Sequence, residues 1–505
     1  MFETSTVLLF TGLGLILYSF YRWATENDDF FEKSGVPYLK PNFIFGNTWK
    51  FFFNKIPLTE FVEYLYNAHP TAKLSGFFNF MTPIYLIRDP EILKHISIKE
   101  FDSFEDHKFI IDSEVDSLFG QTLFLMKGEK WRDMRTTLSP AFTGSKMRLM
   151  FELLRECVSD TMQYIRDINS EQSAFSVEMV DVFGRSGIDV ISSCAFGLKI
   201  NSFVDKNNEF YRIGKKVSNL TTFKAYVKFV AQRVVPGVMK FFRIEYLDSD
   251  VKRFFSDMVL KNIQTRRKEK IFRPDMIDLL MKARNGELSH QEEKETFTDG
   301  FATAVESNVK KSKVNRNWTD DELVSQTFVF FLAGYDTVTQ VMTAFSYQMV
   351  LNPEVQQKLT EEIHETEKSL NGKDITYEIL QKMRYMDMVT SEVLRIGGPA
   401  VFIDRLCTKN VDLLVDGRFI KFKKGTQLWA PLHAYHNDPL IYPEPKKFDP
   451  ERFNEANRAN INPAFYIPGI GPRNCIGSRF ALMNVKLNVY YPLKNYRFEP
   501  NSQMQ

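Results

Sequence analysis

The strongest chemical signal in the chain is the run Gly469-Ile470-Gly471-Pro472-Arg473-Asn474-Cys475-Ile476-Gly477. A soft sulfur donor, a guanidinium two residues before it and flanking glycines fall together in one tight loop. As a thiolate, a cysteine can ligate haem iron and push electron density towards O–O cleavage. Glycines at 469, 471 and 477 would let the backbone turn sharply and approach a flat ring closely, because they lack Cβ and tolerate positive φ. Arg473 can reach an anionic propionate from the same loop. A helix opening at Ser478 would favour the ionised sulfur. The plain alternative is a Gly/Pro turn holding a buried cysteine, but the full spacing is too specific for chance to supply easily.

Three further constellations lie upstream. Trp131 and Arg135 stand at i and i+4 of a helical pattern, two donors on one face suited to an anionic group. No other Trp in the chain has Arg four residues on. Glu392 and Arg395 share a face one turn apart. They precede Pro450-Glu451-Arg452-Phe453, so one acid and two arginines, Glu392, Arg395 and Arg452, can form a buried charge network beside the cysteine loop. The same Glu–Arg spacing at Glu129–Arg132 and Glu152–Arg155 shows that order along the chain, not spacing, singles out Glu392. Finally, an apolar run ends in Ala333-Gly334-Tyr335-Asp336-Thr337. A mid-helix glycine costs about 1 kcal/mol relative to Ala, and an acid–alcohol pair in greasy surroundings costs burial energy. Both costs at one point suggest a distorted turn where something small binds; an ordinary buried helix with one satisfied Asp is the competing reading.

The elements that position these residues are mainly helical. Apolar residues recur at helical spacing over 58–68, 131–166, 177–196, 252–265, 320–351, 353–370 and 377–394. Thr319 and Glu322 form a capping box that starts the long apolar segment from residue 320. Short strand patterns occur at 84–87, 413–415 and 418–422, the last two joined by Asp416-Gly417, a hairpin signal. Charge is nearly balanced at +2, which gives no reason to expect nucleic acid. The four cysteines, Cys157, Cys194, Cys407 and Cys475, are scattered, which argues against a disulfide framework and a structural zinc. Phenylalanine is abundant; most of these rings belong to an aromatic core and a minority could line an apolar cavity. Residues 7–21 are mostly apolar and, with 2–6, long enough to span a bilayer. Glu3 at the start and the lack of a small-residue cleavage site favour an uncleaved anchor over a signal peptide, while the single Arg22 gives little orientation bias.

On these motifs, which run in order over nearly the whole chain, the sequence resembles the cytochrome P450 family, closest to microsomal members that oxidise drugs and toxins, including insect detoxification enzymes. The resemblance implies a mainly α fold with small β-sheets and an N-terminal membrane anchor helix. It implies an anchor at 1–24, a proline-bearing linker at 25–57 with Pro37, Pro41 and Pro57, and a catalytic domain at 58–505. It implies haem b, with Cys475 as iron ligand, Trp131, Arg135, Arg405 and Arg473 as propionate partners, Gly477 in the cofactor loop, and Glu392, Arg395 and Arg452 as a structural triad. Arg405 is placed only by its setting, Phe402-Ile403-Asp404-Arg405-Leu406-Cys407. Asp336 and Thr337 would relay protons to iron-bound oxygen, with Ala333 and Gly334 making room for it. The implied activity inserts one oxygen atom of O2 into lipophilic small molecules. Electrons would come from NADPH through NADPH-cytochrome P450 reductase, with cytochrome b5 a second partner, at the endoplasmic reticulum membrane with the catalytic domain on the cytoplasmic face. Lys130, Arg132, Lys446 and Lys447 are candidates for a basic docking face. Phe104, Phe109, Phe119, the face 328–331 and residues 401–403 are candidates for substrate contact.

Three departures from the family pattern support an alternative, a truncated or haem-loop-damaged relative with little activity. Pro468 stands where the family usually has a Phe shielding the sulfur. Gly397-Gly398-Pro399 follows Arg395 where an aromatic and a proline are usual. The chain stops at Gln505, before the usual C-terminal β-hairpin, which is expected to leave an unpaired strand edge. A third class, a peroxide-using or isomerising haem-thiolate enzyme, is disfavoured by the Asp336–Thr337 pair.

Overall fold

The structure, a computed structural model, describes residues 2–53, 55–108, 116–168, 174–218, 227–228, 231, 236–287, 318–457 and 469–502. The chain divides into two compact units, the first formed by Met1–Lys108, Ala400–Pro443 and Ile470–Arg473, the second by Phe109–Pro399, Glu444–Gly469 and Asn474–Gln505.

The first unit holds the sheets. Helix α1 (Phe2–Ala24) presents its apolar side chains outward, with Leu8 72% and Leu9 69% exposed, as a membrane-spanning segment would. Helix α2 (Leu58–Asn67) matches the expected helix at 58–68 and buries Phe61, Val62, Leu65 and Tyr66. The larger sheet is ordered β1 (Leu74–Asn79), β2 (Thr82–Ile87), β6 (Gln427–Ala430), β3 (Ile403–Leu406). Its β2–β6 pair is parallel and the others antiparallel. The second sheet is the expected hairpin of β4 (Val411–Val415) and β5 (Arg418–Phe422). Asp416 and Gly417 both take positive φ, 50° and 74°, as a two-residue turn of this hand requires. Strand β1 was not legible from alternation because its residues 74–78 are all buried. Gly76 admits the Phe31 ring there: a Cβ would lie 2.5 Å from it.

The second unit is helical. The pattern at 131–166 resolves into α3 (Gly128–Leu138) and α4 (Gly144–Ile168), separated by a tight turn at Ser139–Phe142. Pro140 supplies no N–H to the helical ladder, so the α-helix ends there although Ser139 itself keeps helical angles, φ −53° and ψ −39°. Helix α5 (Met179–Phe196) is buried over most of its length, whereas α6 (Ser249–Glu269) buries only the face of Val251, Phe255, Val259 and Ile263. The segment from residue 320 starts at the full Thr319–Glu322 capping box and comprises α7 (Asp320–Leu332) and α8 (Val338–Leu351) around a π-turn at Ala333–Thr337. It is apolar enough to cross a membrane, but its substantial burial marks it as a core helix. The pattern at 377–394 likewise breaks at Met383, whose ψ of 102° ends one helix before α9 (Arg384–Gly397) begins. Helix α10 (Ser478–Asn495) follows the cysteine loop.

Candidate active site

The cysteine loop turns as its glycines predict at two positions of three. Gly469 and Gly471 have φ of 85° and 75°. A Cβ on Gly471 would fall 2.0 Å from the carbonyl oxygen of Ser97, so that residue must be glycine on two counts. Gly477 differs from expectation: its φ is −90°, and it serves as the residue before α10 rather than as a left-handed turn. The Cys475 side chain is exposed on one side, although protein atoms crowd around it. That crowding raises the thiol pKa, opposed by the Gly477 N–H and the Arg135 guanidinium. The Gly477 N–H, just before the helix, and the Arg135 cation favour thiolate, but desolvation outweighs them.

Helix α3 places Trp131 and Arg135 on one buried face, 2% and 6% exposed. Arg135 donates through Nη2 to Asn474 Oδ1 at 2.7 Å, while its Nε is buried and has no partner among the described residues. Burial lowers its pKa to about 10, and the neighbouring Cys475 sulfur opposes that drop. Sequence reasoning gave Asn474 no role; its only signal was its place between Arg473 and Cys475.

In the first unit, Arg405 on β3 and Arg473 are both buried. Arg473 is engaged: Nε donates to the Glu105 carbonyl at 2.7 Å and Nη2 lies 3.3 Å from Asp106 Oδ1. Arg405 donates through Nη1 to the carbonyl of Asp404 at 2.8 Å, but among the described residues its buried Nε and Nη2 have no partner. Burial brings its pKa down to about 10 against the pull of Asp404. Asp404 also meets His107, Nδ1 to Oδ1 at 2.8 Å, and accepts the Lys108 N–H at 2.6 Å. Neither His107 nor Asp404 carried a sequence signal beyond adjacency to Phe104 and Arg405.

The three residues Glu392, Arg395 and Arg452 do come together. Arg395 donates through Nε and Nη2 to the two Glu392 oxygens at 2.7 and 2.8 Å, and both side chains are 0% exposed. Arg452 Nε lies 3.5 Å from Glu392 Oε1, within ion-pair range, and its Nη2 donates to the Glu444 carbonyl. The Asp449 N–H also donates to Glu392. Burial raises the Glu392 pKa, and Arg395 is the main opposing influence.

At the π-turn, Thr337 Oγ1 donates to the Ala333 carbonyl at 2.5 Å. Asp336 is half-buried and accepts from Gln340 Nε2 at 2.8 Å. Burial raises its pKa, while Ser218 and Gln340 counter the rise. Ala333 is exposed. The space left by Gly334 faces Ile191, whose Cδ1 lies 2.6 Å from where a Cβ would sit, so this glycine also serves helix packing.

The aromatic candidates divide. Phe104 is fully buried against Phe422, with ring centroids 5.8 Å apart, and is core of the first unit. Phe328 and Phe331 are also fully buried and pack on Phe255. Phe119 packs against Phe328, and Phe402 stacks on Trp429. Phe109 and Pro468 lie outside the described residues. Lys130, Lys446 and Lys447 are exposed; Arg132 is largely covered and lies 3.9 Å from Glu129.

Comparison with known proteins gives one consistent answer. Residues 36–505 match the family Cytochrome P450. A relative in Drosophila melanogaster, probable cytochrome P450 9f2, is 39% identical over 489 residues, 95% of this chain and 91% of its own length. Cytochrome P450 9e2 of Blattella germanica is 37% identical, covering 99% of this chain and 94% of the relative. Cytochrome P450 6k1 of the same cockroach is 32% identical, covering 97% and 90%.

Proposed function

This chain belongs to the cytochrome P450 family, and from that membership we propose how its own residues serve the family's reaction. It is a haem b monooxygenase that inserts one oxygen atom of O2 into lipophilic small molecules, with electrons from NADPH through a reductase. No observation favours the alternative of a damaged relative.

The residues fit the cofactor. A porphyrin with two carboxylates needs a soft axial donor and cationic N–H groups kept from water. Cys475 supplies the first, and the buried, unpartnered Nε of Arg135 and Nε and Nη2 of Arg405 supply the second. Leaving such groups unpaired costs a buried site more than a made hydrogen bond returns, so an acid ligand is the natural partner. In the proposed assignment, Cys475 ligates the iron, and Trp131, Arg135, Arg405 and Arg473 meet the haem carboxylates. When bound, haem supplies the activation of dioxygen. Asn474 holds the Arg135 guanidinium through its side-chain oxygen. The Gly477 N–H and Arg135 stabilise sulfur in its anionic form against desolvation. Asp336, whose pKa burial raises, passes protons, and Gln340 orients its carboxyl. The Thr337 hydroxyl spends its hydrogen on Ala333 and so offers lone pairs outward for the next proton. Glu392, Arg395 and Arg452 fix the geometry of the 444–453 segment through three side chains and one backbone N–H.

The proposal extends to setting. Helix α1 anchors the chain in the endoplasmic reticulum membrane ahead of a 25–57 connector, with the 58–505 domain on the cytoplasmic face. The exposed Lys130, Lys446 and Lys447 belong to the reductase-docking face, and cytochrome b5 is a second electron donor. Substrates are foreign lipophilic compounds, by analogy with insect relatives.

The single observation that carries the assignment is a one-side-exposed cysteine set beside a buried arginine with a free donor. The reduced carbon monoxide difference spectrum tests it. A band near ~450 nm is expected for the wild type. Cys475→Ser should abolish that band and NADPH-dependent oxidation; unchanged pigment and turnover would overturn the assignment.

A further inference from the structure

Residues 103–108 are tied to the β3 end of the first unit more heavily than a connecting loop requires. The Leu406 N–H donates to the Asp106 carbonyl and the Thr408 N–H to the Ser103 carbonyl, each at 2.8 Å. Arg473 holds the Glu105 carbonyl. To these are added the two bonds to the Asp404 carboxylate, from His107 Nδ1 and the Lys108 N–H. Asp404 and His107 are each 8% exposed and Arg405 2%. The result is a path from the His107 ring to the Asp404 carboxylate and, through the Asp404 main-chain carbonyl, to the Arg405 guanidinium, whose buried Nε and Nη2 have no partner among the described residues.

The protonation states fix the direction of the device. His107 has its pKa lowered, chiefly by burial, with Arg405 and Arg473 adding to the effect and Asp404 opposing it. Asp404 has its pKa lowered by His107 and the Lys108 N–H, against its own desolvation. His107 is therefore neutral, with its proton on Nδ1 facing an ionised Asp404. A neutral donor orients the carboxylate without neutralising it. The carboxylate charge stays available to keep Arg405 protonated where burial alone weakens it. Nε and Nη2 form the side fork of a guanidinium, whose two parallel N–H groups match one carboxylate.

We propose that His107 and Asp404 are positioning residues that hold the side fork of Arg405 in register for a haem carboxylate. The proposal rests on the reading that Arg405 meets the haem, and adds two residues to which that reading gives no part. A cation at 107 would offset the Asp404 charge that supports the Arg405 cation, and an apolar residue would leave one carboxylate oxygen buried without its donor.

The test uses the full-length, haem-loaded protein and two readouts other than turnover: the rate of haem transfer to excess apomyoglobin and the haem reduction potential. His107→Leu should speed haem loss by about tenfold, the effect of one lost charge-assisted bond, and lower the potential, because the Arg405 cation no longer screens the carboxylate. His107→Asn, which keeps an N–H donor near the Nδ1 position, should restore both towards wild type. Arg405→Met should produce at least the same changes, and His107→Leu added to it should produce little more. Should His107→Leu not accumulate, Asp404→Asn takes its place with the same expectations. If Arg405→Met moves both readouts while His107→Leu and Asp404→Asn move neither, or if the effects of 107 and 405 add in full, the proposal is wrong and the haem reading of Arg405 stands. If Arg405→Met itself changes neither readout, that reading fails and the proposal with it.

Discussion

Asp189 makes the stability of the second unit depend on pH in a direction opposite to most paired carboxylates. It sits on α5 at 1% exposure and accepts the Ser202 N–H with both oxygens at 3.1 Å. Burial dominates, and Asp160 adds to it, so the carboxyl pKa rises from 3.8 to about 7. A group whose folded pKa is raised contributes its stability below the unfolded value and loses it as pH rises through the folded one. Stability should therefore fall from about pH 4 to about pH 7 and level off above. The full rise corresponds to about 4 kcal/mol, and the part between pH 5.5 and 8 to about 2 kcal/mol. Asp189→Asn removes the titration while its amide oxygen still accepts from Ser202. Urea unfolding of the two proteins, followed by the Soret band at several pH values in that range, measures the difference directly. The variant should gain on the wild type by about 2 kcal/mol from pH 5.5 to pH 8, whatever fixed cost its NH2 carries. Parallel pH profiles for the two proteins would refute the reasoning, since they would mean that Asp189 titrates alike folded and unfolded.

Other outcomes follow from the site. Arg395→Ala strands the Glu392 carboxylate, fully buried, on the more distant Arg452, and should lower stability by about 3–5 kcal/mol; an unchanged urea midpoint would count against a structural triad. Gln340→Leu removes a donor that favours ionised Asp336, so Asp336 keeps its proton to higher pH and the alkaline limb of the turnover–pH profile should move to higher pH; a profile that stays in place would detach Asp336 from proton delivery. Gly417→Ala puts a Cβ at φ 74° with open space around it, so only backbone strain acts, and thermal unfolding should report a loss of about 1–2 kcal/mol.

The sequence by itself determined the chemistry-bearing residue types and most of the helices. The cysteine loop, the Glu392–Arg395 spacing, the capping box at Thr319 and the Asp416-Gly417 hairpin are local signals, written within a few residues, and local signals survive without knowledge of the fold. Breaks inside helices were partly written too: Pro140 and Gly334 mark two of them. Three-dimensional structure alone decided the partners. Strand β1 hid its register because both its faces are buried, so no alternation remained to read. His107 and Asp404 are 297 positions apart, Arg135 and Asn474 are 339 apart, and no periodicity links such pairs. The sign of the Cys475 shift also belongs to the fold: a helix start and an arginine predict a thiolate, but desolvation depends on how many atoms surround the sulfur, which only packing sets.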